Sequence, residues 1–436
     1  MGLPNMRLRL PSRNWMIFLT ITGSFTGAIV YDKRERRRAQ RKWCKLVEHL
    51  AEEPLDPRSM PRKLTVYLEG PPTDSLRISQ EHFKEYVKPI LVSSGLDWEF
   101  VQGRKEGDIR AALAGRIRKF RSPPTDDDPE ADLTGKIRKN NGISEFDGPA
   151  GDIVVGRHTW KEYIRGLHEG WLGPLQEPPR PEPAQPPVTP EAPKTDDPAP
   201  ADQPSDATPG TTVHSSPGQE DAPPPKAEPE KAPEVPKKPP QPLPYNSTSD
   251  YPSATLPSNI PSSFDPSIPI QEPHILGFLN TPTRLWRFLN RRYLADSIGR
   301  ETAAIVLAHH RPYATVPVSS SSSNPDPPTT GEEIPEQVSA LDVEEKDWHK
   351  SIRKRDEKDP KERTWLDEVV LDSRIGGRMR RAVLSEEDEV RAEGIVVSEE
   401  EIEGWIKGGV RSLWRYGKSY VVGKEKPVVY VEGEDE

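Results

Sequence analysis

The sequence predicts an α/β protein with an N-terminal single transmembrane helix, a parallel-sheet soluble region carrying a long disordered proline-rich insertion, and a helical C-terminal part. Three observations lead there. Trp15 to Tyr31, WMIFLTITGSFTGAIVY, runs apolar without one ionisable residue. Between 61 and 173, short apolar runs alternate with segments of helical period. From Pro174 to Pro273 the chain is dominated by Pro, Ala, Glu, Ser and Thr, a composition that cannot bury enough apolar surface to offset chain entropy. The expected divisions are 1–14, a short N-terminal arm; 15–31, the membrane helix; 32–60, a basic juxtamembrane helix; and 61–173, the α/β domain. Then come 174–273, the linker; 274–317, a helix and strand continuing the domain; 318–337, a flexible loop; and 338–436, the helical C-terminal region.

About 17 helical residues rise roughly 25 Å, the short edge of a hydrocarbon span, and Trp15 and Tyr31 stand where amphipathic aromatic rings favour the interface. Thr20, Thr22, Ser24 and Thr26 can bond back to helix carbonyls. The alternatives are a signal peptide or presequence, which would want a cleavage site where DKRERRRAQRKW follows, and a buried helix, which would usually keep a polar face. Gly23 and Gly27 form a small-xxx-small pair that lets another helix approach. Arg7, Arg9 and Arg13 precede the run, and Lys33, Arg34, Arg36, Arg37, Arg38, Arg41 and Lys42 follow it. A positive-inside count therefore puts the long C-terminal part on the side facing the cytosol-like compartment, and the second cluster can hold anionic lipid.

In 32–60 a short stripe of Trp43, Leu46, Val47 and Leu50 ends before Pro54 and Pro57. Lys63 to Leu68 alternates as a strand and stops at Glu69-Gly70-Pro71-Pro72. A helix follows, capped by Ser79, with Phe83, Val87, Ile90 and Leu91 three or four apart. Asp97 to Val101 reads as a second strand, and Ile109, Leu113, Ile117 and Phe120 share one face of a second helix bearing Arg110, Arg116, Arg118 and Lys119. After a Pro-, Asp- and Gly-rich insertion over 122–150, Asp152 to Gly156 is a third strand, and Arg157 to Gly173 a helix with Trp160, Ile164, Leu167 and Trp171 on one side. Strands separated by helices favour a parallel sheet.

The proline tract reads as a semi-rigid spacer or a polyproline segment that docks an aromatic groove. Beyond it, Leu285, Leu289 and Tyr293 line one helix face with Trp286, Arg287, Arg291 and Arg292 around it, and Ala303 to Ala308 offers a short strand. The C-terminal helices carry Trp348, Ile352, Trp365, Leu366, Val369 and Val370, then Ile402, Ile406, Val410 and Leu413 flanked by Trp405 and Trp414. Pro427 to Val431 closes the chain as a strand. Core packing is the first reading of these aromatics and partner anchoring the second.

A formal net charge of -9 over 436 residues gives no basic excess for nucleic acid or for strong membrane-surface binding by the whole chain. Cys44 is the single cysteine, which excludes an internal disulfide and a thiolate metal cluster. Asn246-Ser247-Thr248 fits a glycosylation acceptor, relevant only in a secreted chain. His309-His310 lacks a suitably spaced third ligand. There is no Walker A loop, nucleophile elbow, HExxH pair or GxGxxG run. Gly376-Gly377, with Arg374, Arg378, Arg380 and Arg381 beside them, would make an anion site if Val369 to Leu371 supplied a strand and a helix followed. No residue is assigned as catalytic, cofactor-binding or metal-ligating, and no cofactor is expected.

The run PSRNWMIFLTITGSFTGAIVYDKRERRRAQRKW, with RKLTVYLEGPP, EHFKEYVKPILVSSGLDWEFVQGRKEGDIRAALAGRIRKFR and VVGRHTWKEYIRGLHEGWLGPL after it, resembles fungal subunit 54 of the mitochondrial import inner membrane translocase. TPTRLWRFLNRRYLADSIGRETAA and LDEVVLDSRIGGRMRRA extend the resemblance. It implies a non-catalytic scaffold subunit of the carrier translocase that supports insertion of multispanning proteins. It implies a single-pass protein of the mitochondrial inner membrane with a short matrix-facing N-terminus and the large soluble region in the intermembrane space, opposite to the charge count. The implied partners are channel-forming and accessory membrane subunits, small intermembrane-space chaperones and an inner-membrane protease, with anionic lipid expected from the basic flank. The resemblance also implies a diacylglycerol-kinase-like fold for the soluble region. Two other readings stand beside the scaffold: a degenerate lipid-kinase-like enzyme or nucleotide/lipid-binding protein using the glycines near 376, and a membrane-tethered adaptor that captures partners through residues 174–273.

Overall fold

The computed structural model describes residues 12–122, 129–144, 146, 148–178, 241–317, 333–348, 352 and 362–403. Helix α1 (Arg13–Val47) and the short α2 (His49–Glu52) precede β1 (Lys63–Glu69). Next come α3 (Leu76–His82), a π-helical turn (Phe83–Val87), α4 (Lys88–Ser94), β2 (Asp97–Gly103), α5 (Asp108–Arg121), α6 (Pro129–Asn140), β3 (Asp152–Val155) and α7 (Arg157–Leu172). The second half adds β4 (Pro266–Ile270), α8 (Thr281–Leu289), α9 (Arg291–Val306), β5 (His310–Pro312), β6 (Thr315–Pro317), β7 (Glu333–Pro335), α10 (Glu336–Ser339) and α11 (Asp342–Asp347). It ends with α12 (Ser373–Gly376), β8 (Arg380–Ala382), α13 (Glu386–Gly394) and α14 (Glu399–Glu403).

Six strands make one sheet in the order β2-β1-β3-β4-β8-β5, and β6 pairs with β7 separately. The ladders from β2 through β8 are parallel, with Lys63 opposite Asp97, Thr65 opposite Asp152, and Asp152 opposite Ser267. β5 runs antiparallel to β8, so the sheet is mixed rather than wholly parallel. β1 is buried along its length after Lys63, as a central parallel strand covered on both faces must be. Its period of two divides the core. Leu64, Val66 and Leu68, with Ile153 and Val155, face α4, α9 and the second half of α1, whereas Tyr67 and Val154 face Ile109, Leu113, Trp160 and Ile164 of α5 and α7. α5 approaches α7 closely because Gly170 carries no side chain: a Cβ there would stand 2.7 Å from Ile117 Cδ1.

Several expectations are corrected. No helix among the described residues is long and apolar enough to cross a membrane. The apolar run is helical, but Thr20, Thr22, Gly23, Ser24, Thr26 and Gly27 dilute it, and α1 continues unbroken into the charged cluster to end on the domain at Trp43 and Val47. The transmembrane assignment of 15–31 and the single-pass localisation fall with it. The linker does not extend to 273. Residues 241–246 pack against α5 and α7, where the Arg110 guanidinium donates to the Pro242 carbonyl and Tyr245 N–H to Glu169 (3.2 Å). β4 lies between β3 and β8. Two prolines in five residues argue against a central strand. Yet β8 pairs only with Pro266 and Ser267, so at Pro269 one flank alone is laddered. Deleting 174–273 to test the adaptor reading would therefore remove a core strand.

Ala303 to Ala308 is not a strand. Ala295, Ile298, Thr302 and Ile305 are buried with helical spacing, and α9 runs through Val306. The C-terminal region is not all helical, since β8 joins the sheet, and the insertion over 122–150 contains α6. Trp405, Ile406, Val410, Leu413, Trp414 and Pro427 to Val431 lie outside the described residues.

Candidate functional site

In an open α/β sheet, ligands enter beyond the C-terminal ends of the strands, where the strand order reverses. Here β2 lies on one side of β1 and β3 on the other, which puts the reversal between β1 and β3. Glu69 ends β1, Gly156 follows β3, His158 and Glu162 stand on the first turns of α7, and Glu272 follows β4; all four side chains are buried. Gly156 has φ +86°, and a Cβ there would sit 3.0 Å from Glu272 Oε2. Only glycine combines that backbone with that approach.

Two helix N-termini open onto this crevice, the usual seat of a phosphate. Each holds a carboxylate of the chain itself. At α5, Glu162 accepts the N–H groups of Ile109 (3.1 Å), Arg110 (3.1 Å) and Gly107, and Trp365 Nε1 donates to it at 3.0 Å. At α7, Glu344 accepts Arg157 N–H (2.8 Å) and, with its other oxygen, Glu272 N–H (2.7 Å). The Arg157 guanidinium fastens the same segment by donating to Glu345 (2.6 Å) and to the carbonyls of Val338 (2.8 Å) and Ala340 (2.6 Å). The crevice is closed from within, and an anionic ligand would have to expel a bonded carboxylate from either helix end.

Burial sets the protonation here. It pushes Glu162 up to about 7, Glu272 up to about 8 and Glu344 up to about 7, and it holds Glu69, beside the Glu162 charge, well above the carboxylate range. The same burial lowers His158 to about 4, so its ring is neutral. The sign of the resulting pH dependence follows from linkage. Below the ordinary glutamate value both folded and unfolded chains are protonated, so the penalty is absent; as pH rises the unfolded chain ionises first, and stability is lost up to the folded values. The denaturation midpoint should therefore fall between about pH 6.5 and pH 8, above the range where the neutral buried His158 acts with the opposite sign. Glu272→Gln should flatten that slope and stabilise the chain at pH 7.5 by about 1–4 kcal/mol in urea titrations. A destabilised variant would contradict this account.

The other residues singled out above are engaged elsewhere. Val369 to Leu371 is not a strand, and α12 is a four-residue turn whose cap is a carboxylate, Asp372, accepting Arg374 N–H. Arg374 pairs with Asp372 and donates to the Ala254 (2.8 Å) and Tyr251 (2.6 Å) carbonyls. Arg378 donates to the Arg374 carbonyl, Arg380 to that of Gly377, and Arg381 pairs with Glu336, so the glycines gather no anion site. His309 lies 3.5 Å from Asp388 and His310 begins β5; no group of metal-ligating side chains occurs among the described residues. Asn246 Oδ1 accepts from Arg165 (2.8 Å) while its Nδ2 is buried, closed to glycosylation. Cys44 is buried, which pushes its thiol up. Trp348 is buried and Trp160 donates to the Gln337 carbonyl (2.8 Å), both inside the fold.

Part of the basic flank is paired within the chain. Arg34 pairs with Glu399 and Glu403, Arg36 with Glu85, Arg38 with Glu35 and Glu399, and Lys45 with Glu401. α14 thus clamps α1, while Lys33, Arg37 and Arg41 of the same cluster remain exposed. Glu69, Glu162, Glu272 and Glu344 went unread in the sequence. The available signal was a lone carboxylate ending an apolar run, as in TVYLEGPP and SIPIQEP.

Comparison with known proteins agrees across the chain. A protein from Aspergillus oryzae named mitochondrial import inner membrane translocase subunit tim54 is 48% identical, covering 100% of this chain and 100% of its own. One of the same name from Neurospora crassa is 49% identical over 100% of this chain and 90% of its own, and one from Yarrowia lipolytica 27% identical over 85% and 91%. The family described as inner membrane protein import complex subunit Tim54 matches residues 1–382, and the chain belongs to that family.

Proposed function

We propose that this chain is a non-catalytic scaffold subunit of the mitochondrial inner-membrane translocase, whose work is to hold partners rather than to transform a substrate. The observation that carries this is full-length similarity to proteins named as subunits of that translocase. The fold supports it physically: the crevice an α/β enzyme would use is filled by Glu162 and Glu344, so the domain presents outer surfaces instead of a pocket. The degenerate lipid-kinase alternative needs an anion site, and the positions offered for one are occupied by internal carboxylates or emptied of free arginines. The partners that suit a carrier-translocase scaffold are channel-forming and accessory membrane subunits, small intermembrane-space chaperones and an inner-membrane protease.

The test is affinity purification of the tagged chain from mitochondrial membranes in mild detergent, with mass spectrometry of what accompanies it. Recovery of a channel-forming subunit and small chaperones in constant ratio is expected. A chain recovered alone would overturn the scaffold reading.

A further inference from the structure

Among the described residues the two most exposed large apolar side chains are neighbours, with exposed Trp286 and Tyr293 close by in the chain. Phe278 and Leu279 are 88% and 91% exposed, and Trp286 and Tyr293 62% each. They flank or belong to α8, whose nine residues divide sharply. Leu285, Phe288 and Leu289 share one face at helical spacing with Trp286 beside them, Arg284 borders that face one turn before Phe288, and Thr283 and Arg287 lie opposite. From Ile275 to Ala295 the chain carries Arg284, Arg287, Arg291 and Arg292 and no Asp or Glu.

The anchorage of this element fixes where its apolar face stands. Arg287 pairs with Asp347 at 2.8 Å. Arg292 N–H donates to Asp32 Oδ1 (3.1 Å), and its guanidinium lies 5.4 Å from the Tyr31 ring and 4.6 Å from that of Tyr293. Tyr31 and Asp32 mark the point at which α1 passes from its exposed apolar part, Trp15 to Val30, to the part packed on the domain. The apolar arc of α8 and the exposed apolar run of α1 therefore adjoin.

We propose that residues Phe278 to Tyr293 form an interfacial element that lies on an anionic lipid bilayer, with Phe278, Leu279 and Trp286 at the acyl boundary and Arg284 and Arg291 among the headgroup phosphates. This deepens the reading of the chain as an inner-membrane subunit and rests on it. Charge decides the occupant. An aromatic and leucine arc bordered by arginines, with no acid across 21 residues counted from Ile275 to Ala295, complements a layer of anionic headgroups. Arg34, Arg36 and Arg38 of the basic cluster within α1 are already paired with acids of the chain.

The test places a nitroxide on a cysteine introduced in the full-length chain by Leu279→Cys, Trp286→Cys or, on the opposite face, Thr283→Cys, leaving buried Cys44 in place. Collision with a water-soluble nickel chelate is then compared on phosphatidylcholine vesicles with and without cardiolipin. On cardiolipin vesicles the labels at 279 and 286 should lose most of their chelate collisions while that at 283 keeps them. Replacing Arg284 and Arg291 by Gln should weaken vesicle affinity by roughly 30-fold, two charges at about fivefold each. Labels at 279 and 286 that stay as wet as that at 283 on vesicle-bound chain would overturn the proposal. So would shielding confined to the purified translocase, which would make this face a protein contact. Failure of the wild-type chain to recover translocase subunits would instead count against the scaffold reading, whatever the vesicles show.

Discussion

Glu169→Ala is expected to destabilise the fold by about 3–5 kcal/mol, the usual cost of stranding one member of a buried ion pair. Arg110 and Glu169 are each only 1% exposed in their side chains, and they join α5 to α7. Glu169 also pairs with Arg118 and accepts Tyr245 N–H at 3.2 Å, so one carboxylate serves both helices and the returning chain at 241–246. Its removal leaves the buried Arg110 guanidinium bonded to the Pro242 carbonyl without a countercharge. Urea denaturation of the purified chain measures the loss, and hydrogen exchange should show 241–246 released together with α5. Coupling Glu169→Ala to Arg110→Leu should recover a large part of the stability, because the penalty belongs to the abandoned charge. A loss under 1 kcal/mol from the single variant would show that water reaches the pair.

Trp43→Ala should cost about 3–5 kcal/mol and loosen α1 from the domain. Trp43 is 3% exposed, its Nε1 donates to Asp296 Oδ1 at 2.8 Å, and its ring lies on α9 where Gly299 has no side chain. Any Cβ at 299 would collide with that ring, so Gly299→Val should reproduce the defect from the opposite side. The expected signature is regional: faster exchange over Asp32 to Val47, with β1 and β3 still protected. Uniform protection in both variants would mean that α1 is held by the surface pairs to Glu399 and Glu401, which ordinarily contribute at most about 1 kcal/mol each.

The two variants act on opposite faces of one sheet, and the pH prediction acts at its strand ends. Together they describe a domain whose polar interior is committed to holding itself together. Helix N-termini that could take a phosphate are satisfied by Glu162 and Glu344. That commitment suits a scaffold, which needs stable outer surfaces more than an open pocket.

Much of this architecture was legible in the residues, because strand and helix periods depend on neighbours a few positions away. The strands expected at Lys63 to Leu68, Asp97 to Val101 and Asp152 to Gly156 are found as Lys63 to Glu69, Asp97 to Gly103 and Asp152 to Val155, and Asp108 to Arg121 and Arg157 to Leu172 are helices. The anion site at Gly376-Gly377 misled for an identifiable reason. Arginines in a row say nothing about which acids will meet them. Asp372 stood two residues from Arg374, but Glu336 reaches Arg381 from 45 positions away.

The sequence by itself determined the family, the first three strands with their helices, and the proline tract, since these rest on local composition and period. Tertiary structure alone decided the rest: that Pro266 to Ile270 enters the sheet, that Ala303 to Val306 completes a helix, that α14 pairs with Arg34, Arg38 and Lys45 of α1, and that the strand-end crevice is closed by glutamates. Each of these depends on a partner brought from far along the chain. A half-paired strand with two prolines, or a carboxylate buried at neutral pH, is tolerable only when long-range packing supplies the neighbours that offset its cost.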